Sequence, residues 1–146
     1  MTGGSEGGFR ANKALVSAAQ VLGIPVGLGS IRILLRSPEL FPHFHLKPHA
    51  PDVPVIANIG AVQVRDGGID ELLALLEKLE VQALAVHLNP GQELFQPGGD
   101  RDFRGLKEAI ARLAERNIHQ AGAAIAEVAT RFELPPDFHG GHLELI

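Results

Sequence analysis

There is no cysteine among the 146 residues. Disulfides, thiolate nucleophiles and cysteine-ligated metals are thereby excluded, and a cytoplasmic setting is the expectation. No stretch approaches the ~18 consecutive apolar residues of a membrane helix, and the glycine-rich start lacks the basic-then-apolar pattern of a signal peptide. No membrane partner is expected. Basic residues are few and scattered: 13 Lys and Arg against 17 Asp and Glu give a net charge of −4. Nothing there makes a nucleic-acid surface. The glycines of residues 1–8 are not followed by Gly-Lys-Ser/Thr, so they form no P-loop, and no strand precedes them to make a dinucleotide fingerprint. Internal repeats and low-complexity tracts are also missing. What remains is ordinary globular composition, 45% hydrophobic and 21% charged, in a chain long enough to bury one core.

The hydrophobic spacing alternates between two periods. Residues 1–8 read as a loop. Ala11, Ala14, Leu15, Ala18, Ala19 and Leu22 then follow an i, i+3, i+4, i+7 series, the inward face of an amphipathic helix that Gly23 ends. Residues 24–28 read as a short buried strand closed by Gly29-Ser30, and Ile33-Leu34-Leu35 as a brief helical turn. Pro38, Pro42, Pro48, Pro51 and Pro54 punctuate an irregular stretch, with a short extended piece at 44–47. Residues 53–59 are the next strand, followed by a turn at Asp66-Gly67-Gly68. Ile69, Leu72, Leu73, Leu76 and Leu79 mark a second helix, with Asp70 and Glu71 in its first turn, where the dipole favours them. Residues 83–86 are continuously apolar, the mark of a strand buried on both faces, and the run ends at His87. A polar loop, 89–102, leads through a capping Asp102 to a helix with Leu106, Ala109, Ile110 and Leu113 inward. A last helix has Ala121, Ala124, Ile125, Val128 and Phe132 on one face, and Pro135-Pro136 stops it. Short apolar strands alternating with helices predict an α/β fold with a parallel sheet.

In such folds ligands bind at the carboxyl ends of the strands. One strand runs into Gly29-Ser30-Ile31-Arg32, one into Ala57-Asn58-Ile59-Gly60, and one into His87-Leu88-Asn89-Pro90-Gly91-Gln92-Glu93. These residue types suit a phosphorylated ligand. Gly29 allows close backbone approach and Ser30 can donate to a phosphate oxygen. Arg32 carries a planar, permanently charged fork. Met1-Thr2-Gly3-Gly4 is a second small, donor-rich loop before a helix, where the dipole favours an anion. Glu93 offers oxygen to Mg²⁺, which is commonly shared with substrate phosphates, and Asn89 and Gln92 hydrogen-bond without adding charge. Taken singly, Gly29-Ser30 is an ordinary turn, Asn58 a turn residue and His87 a satisfied core histidine; gathered on one face they make a barrel-type site. His43, His45 and His49, and likewise His139 and His142, lack a third ligand at zinc spacing.

These same motifs, with Asn12, Ala14-Leu15, Ala61-Val62-Gln63, Gln96 and Gly99-Asp100-Arg101-Asp102-Phe103, resemble type 2 isopentenyl diphosphate isomerase. The resemblance runs in order over residues 1–116. It implies part of a (β/α)₈ TIM barrel, about half of it, with residues 117–146 a divergent helix and tail. It implies the FMN- and Mg²⁺-dependent interconversion of isopentenyl and dimethylallyl diphosphate in isoprenoid biosynthesis, with NADPH as flavin reductant. Met1, Thr2, Gly3, Ser30 and Asn58 would contact FMN. Ser30, Ile31, Arg32 and Gln92 would contact the diphosphate, Glu93 would hold Mg²⁺, and His87, Asn89 and Gln92 would stand at the reacting group. The cofactor would perform the difficult step while the protein orients.

The departures are specific. The family has Gln where Ile31 stands and commonly a bulkier residue at Gly91. Met1 corresponds to an internal position there, and the family's later flavin-contacting Lys and phosphate loops have no counterpart. A closed barrel takes about 250 residues, so three or four β/α units of an incomplete barrel are expected, from a truncated or frame-disrupted product or a fragment. Open edges and an uncovered face invite association, so a homo-oligomer is expected. The competing readings are a non-catalytic flavin- or phosphate-binding half-barrel and an inactive remnant. A relative of the FMN-dependent α-hydroxy-acid oxidases would need another catalytic histidine motif.

Overall fold

A computed structural model describes residues 4–88, 95, 97–99 and 101–116. The chain divides into two compact units, Met1–Ile110 and Ala111–Ile146. The predicted last helix and all of 117–146 lie outside the described residues. Of the second unit, 111–116 is described and is helical, with Leu113 buried.

The first unit is an α/β layer around three parallel strands: β1 (Val26–Ser30), β2 (Val55–Gly60) and β3 (Ala83–His87), in that spatial order. Helix α1 (Glu6–Leu22) precedes β1. Three 3₁₀ turns, Ile31–Leu35, Pro38–His43 and Lys47–His49, connect β1 to β2. Helices α2 (Ala61–Asp66) and α3 (Ile69–Lys78) connect β2 to β3, and a helical stretch covers 106–116. The predicted α/β class and parallel sheet are therefore present.

Local chemistry explains the boundaries and corrects several expectations. The predicted loop 1–8 gives way to helix from Glu6, because Ser5 Oγ accepts the Gly8 N–H at 3.1 Å and caps the first turn. Gly23 ends α1 as expected, at φ 65°, and Ile24 N donates back to the Ala19 carbonyl, a C-terminal cap that glycine adopts at little cost. The buried face of α1 is Asn12, Val16 and Ala19. Leu15 and Leu22, predicted inward, are more than half exposed. The alanine count had drawn the face about one position too far round, since Ala is indifferent to burial while Val16 is not.

The first strand begins two residues later than predicted, and Gly29-Ser30 lies inside it. The expected extended piece at 44–47 is absent: Phe44 and Leu46 are buried between 3₁₀ turns. Pro38 sits at the start of one turn and Pro48 near the start of another, where the missing N–H costs nothing. β3 is not buried on both faces. Its residues are exposed or half-buried, because β3 lies at an edge of the described sheet. Asp102 does not cap the helix at 106–116; its carboxylate binds the Arg104 backbone N–H and guanidinium instead.

The core gathers on β2, where Val55, Ala57 and Ile59 are fully buried. At the amino end of the sheet two glutamines act as ties. Gln20 Nε2 donates to Asp52 and Gln20 Oε1 accepts the Asp52 N–H, at 2.7 and 3.0 Å, fastening α1 to the approach to β2. Gln82 Oε1 accepts from the Val55 N–H at 2.9 Å and from Lys47 Nζ at 3.2 Å, while its Nε2 donates to the Glu80 carbonyl at 2.7 Å. Glu80 is the one non-glycine with positive φ among the described residues, at 55°, and His45 Nε2 holds its carboxylate at 2.5 Å. We expect Gln82→Ala to lower unfolding stability by about 1–3 kcal/mol, the usual cost of stranding a buried donor; urea denaturation reads it directly, and a value near zero would show that water replaces the amide.

Candidate functional site

The carboxyl ends of the three strands converge as parallel pairing demands. Ser30 is in register with Asn58, and Gly60 with His87. In a strand, residues two apart share a face, so Ser30, Asn58, Gly60 and His87 all address one side of the sheet. This is the half-buried side of β2; Val55, Ala57 and Ile59 face the packed side.

Asn58 and His87 meet directly. Asn58 Oδ1 lies 3.0 Å from His87 Nδ1, in a partly buried position. The contact crosses the sheet diagonally, because the slot beside His87 belongs to Gly60. A Cβ on Gly60 would stand 3.3 Å from His87 Nε2 and collide with the Gln63 side chain. The bare Cα of Gly60 thus has the imidazole and the Gln63 side chain close beside it.

Ser30 ends β1 and caps the following 3₁₀ turn: its Oγ accepts the Arg32 N–H at 3.4 Å. With a lone pair turned to the backbone, the hydroxyl proton is left to donate elsewhere. Arg32 is exposed. Ile31 is fully buried; it anchors the turn in the core and has no surface of its own open to a ligand. Gly4, at φ 76°, brings the chain start to this turn: a Cβ there would meet Ile33 Cδ1 at 2.8 Å. Of the remaining predicted site residues, Met1, Thr2, Gly3, Asn89, Gln92 and Glu93 lie outside the described residues.

One residue without a sequence signal ties down the segment 102–104. Arg65, at the end of α2, donates Nη1 to the carbonyls of Asp102 at 2.6 Å and Arg104 at 3.0 Å. Its Nε and Nη2 embrace the Asp66 carboxylate at 2.6 and 3.0 Å. An Arg directly before an Asp at a helix end carries no distinctive signal, so only the geometry exposes it. Elsewhere, His43 stacks on Phe9 with centroids 4.8 Å apart. Among the described residues no group of three His, Cys, Asp or Glu could hold a metal ion. An open groove of about 460 Å³ is lined by Leu34, Pro38, Phe41, Leu75 and Lys78, none of them from the strand ends. No helix among the described residues is long and apolar enough to cross a membrane.

Comparison with known proteins gives the same direction as the motifs. A protein of Borrelia garinii subsp. bavariensis named isopentenyl-diphosphate delta-isomerase is 50% identical over 115 residues, 79% of this chain and 32% of that protein. The matched stretch belongs to the isopentenyl-diphosphate delta-isomerase family. Isomerases of the same name from Thermococcus kodakarensis, 40% identical over 147 aligned positions and 91% of this chain, and from Nostoc sp., 41% identical over 117 residues and 80%, agree. The Thermococcus match reaches past residue 116, into the last thirty residues where the motif resemblance stops. The chain spans about a third of the length of these relatives. No family model matches.

The Arg65 cluster gives an acid-dependent expectation. The Arg65 guanidinium holds the Asp66 carboxyl below its usual value of 3.8. Arg104, through its side chain and then its backbone N–H, holds Asp102 well below the same value. Both carboxyls are depressed in the folded chain, so their contribution is complete above about pH 4 and drains as acid carries the pH down towards the folded values. Both are largely exposed, so screening keeps the effect small. The thermal midpoint should fall more steeply between pH 5 and 2 in the parent chain than in Arg65→Leu; equal slopes would show that the Arg65–Asp66 ion pair contributes nothing to stability.

Proposed function

We propose that this chain forms the strand-end face of a type 2 isopentenyl diphosphate isomerase site, built on part of a (β/α)₈ barrel and acting in the cytoplasm on isopentenyl and dimethylallyl diphosphate. The observation that carries the reading is the convergence of Ser30, Asn58 and His87 at the carboxyl ends of three adjacent parallel strands. It falls in a stretch 50% identical to a protein named isopentenyl-diphosphate delta-isomerase.

The residues suit a flavin mononucleotide. Ser30 offers a hydroxyl donor and Asn58 an amide, opposite one another in register, on the face where parallel α/β folds take their ligands. FMN would lie against these two, with Met1, Thr2 and Gly3 completing its contacts, and NADPH would be its reductant. Bound and reduced, the flavin would supply the proton exchange that a 1,3-allylic shift needs, without net redox. The protein's part is orientation. The Ser30 hydroxyl would donate to a phosphate oxygen, Arg32 would grip the diphosphate as a planar fork, and Gln92 would add a neutral contact. His87, with Asn89, would serve the reacting group. Glu93 would hold Mg²⁺, a hard cation that prefers oxygen ligands, and the metal would supply positive charge for the diphosphate. The sheet's two exposed outer strands favour a homo-oligomer.

Fluorescence titration of the full chain with FMN tests the reading. Stoichiometric quenching is the expected result, followed by isomerase activity with reduced FMN, Mg²⁺ and isopentenyl diphosphate. Arg32→Ala should weaken binding of inorganic pyrophosphate by about 10- to 100-fold, the weight of ~1.5–3 kcal/mol for a hydrogen bond to a charged group. A folded chain that binds neither FMN nor pyrophosphate would leave an inactive remnant as the reading.

A further inference from the structure

We propose that Asn58 is the positioning residue that fixes the tautomer of His87, holding the neutral ring with its proton on Nδ1 and its lone pair on Nε2. The argument starts from what each atom can do. An amide oxygen accepts and never donates. Asn58 Oδ1 stands 3.0 Å from His87 Nδ1, so the proton of that bond belongs to the imidazole. In a neutral ring the other nitrogen is then bare. Nε2 lies on the Gly60 side of the ring, 3.3 Å from where a Cβ would be, with the Gln63 side chain close to the same point. The lone pair is therefore carried on the side of the ring away from Asn58.

The geometry is held from both sides. β2 and β3 stay in unbroken register from Ile56↔Ala83 to Gly60↔His87, which sets the offset between Asn58 and His87 at two residues. Gly60, paired with His87, places no side chain of its own beside the imidazole. Because Asn58 turns its oxygen to His87, it turns its NH₂ group away. The pair thus presents a donor from Asn58 beside an acceptor from His87. A ligand seated there must carry an acceptor and a donor in the matching order, and His87 is poised to take a proton or a hydrogen bond, not to give one. The role that the ring plays towards substrate rests on the isomerase reading above; its protonation pattern does not.

The test is ¹⁵N–¹H correlation spectroscopy of the full chain labelled in its histidine rings, at about pH 8.5, where a histidine of ordinary pKa is neutral. Loss of one spin system in His87→Gln assigns the signal. The expected result is an Nδ1–H ring in the parent chain. In Asn58→Leu the ring should revert to the Nε2–H form that an unconstrained histidine favours, and in Asn58→Asp, which restores an acceptor, it should return to Nδ1–H. A parent ring protonated on Nε2 overturns the proposal, and so does an Nδ1–H ring that persists in Asn58→Leu. Should Asn58→Leu fail to fold, the Asn58→Asp and parent spectra still decide, since Nε2–H in either contradicts the assignment. Failure of FMN to bind would overturn the isomerase reading and leave this result untouched.

Discussion

Everything in the described fold hangs on β2 and its two parallel ladders. The strand is short, yet it has partners on both sides, with β1 in register at Val26↔Val55 and β3 from Ile56↔Ala83 onward. Its packed face is Val55, Ala57 and Ile59, all fully buried. Its other face is Ile56, Asn58 and Gly60. A one-residue slip would exchange the two faces, burying Asn58 in the core and pushing Ile59 into the site. The hydrophobic alternation of β2 therefore places the polar groups as firmly as any contact among those groups. The Gln82 tie reinforces this at the amino end, since its bond to the Val55 N–H closes the ladder where β3 begins.

The parts of the molecule that were legible in the sequence are those in which a strong local signal coincides with a topological rule. Apolar runs ending in Gly-Ser, Asn-Ile-Gly and His-Leu-Asn marked the strand ends, and parallel topology alone sufficed to bring them together. Gly23 was readable as a cap because no other residue enters the left-handed region so cheaply. The failures have equally specific causes. Gly7 and Gly8 suggested a loop because their helix propensity is poor, but the Ser5 cap and the packing of Val16 and Ala19 outweigh it. The face of α1 was misdrawn because alanine reports burial weakly. The Arg65 cluster was invisible because its partners are backbone carbonyls 37 and 39 residues away, and carbonyls leave no mark on sequence.

The same division holds for the site. Residue types gave the chemistry of Ser30, Asn58 and His87, but not their relation. Only the structure shows that Ser30 and Asn58 are directly opposed, and that the imidazole reaches diagonally, from beside Gly60, to Asn58. Ile31 shows the opposite case. A motif assigned it to the substrate, while the structure makes it one of the most deeply buried side chains. Its position between Ser30 and Arg32 is better understood as an anchor that holds those two outward, since a 3₁₀ turn with Ile31 and Leu34, three residues apart on one side, pinned in the core presents the residues between and beside them to solvent.

The outer strands show what this arrangement leaves open. Residues 83–86 of β3 are continuously apolar in sequence and only partly covered, and Leu15, Val21, Leu22 and Ile24 are at least half exposed on and beside α1. Strands of such composition occur in parallel sheets that are covered on both faces. The exposed apolar surface lies at the margins of the sheet; Asn58 sits on β2, its best-packed strand, and His87 on the outer strand β3, which the ladder holds to β2. A site built outward from the most buried strand keeps its geometry even where the margins are incompletely covered, because register and not peripheral packing sets the distance between its groups. The Asn58–His87 bond is thus the feature of the candidate site least dependent on whatever covers the edges.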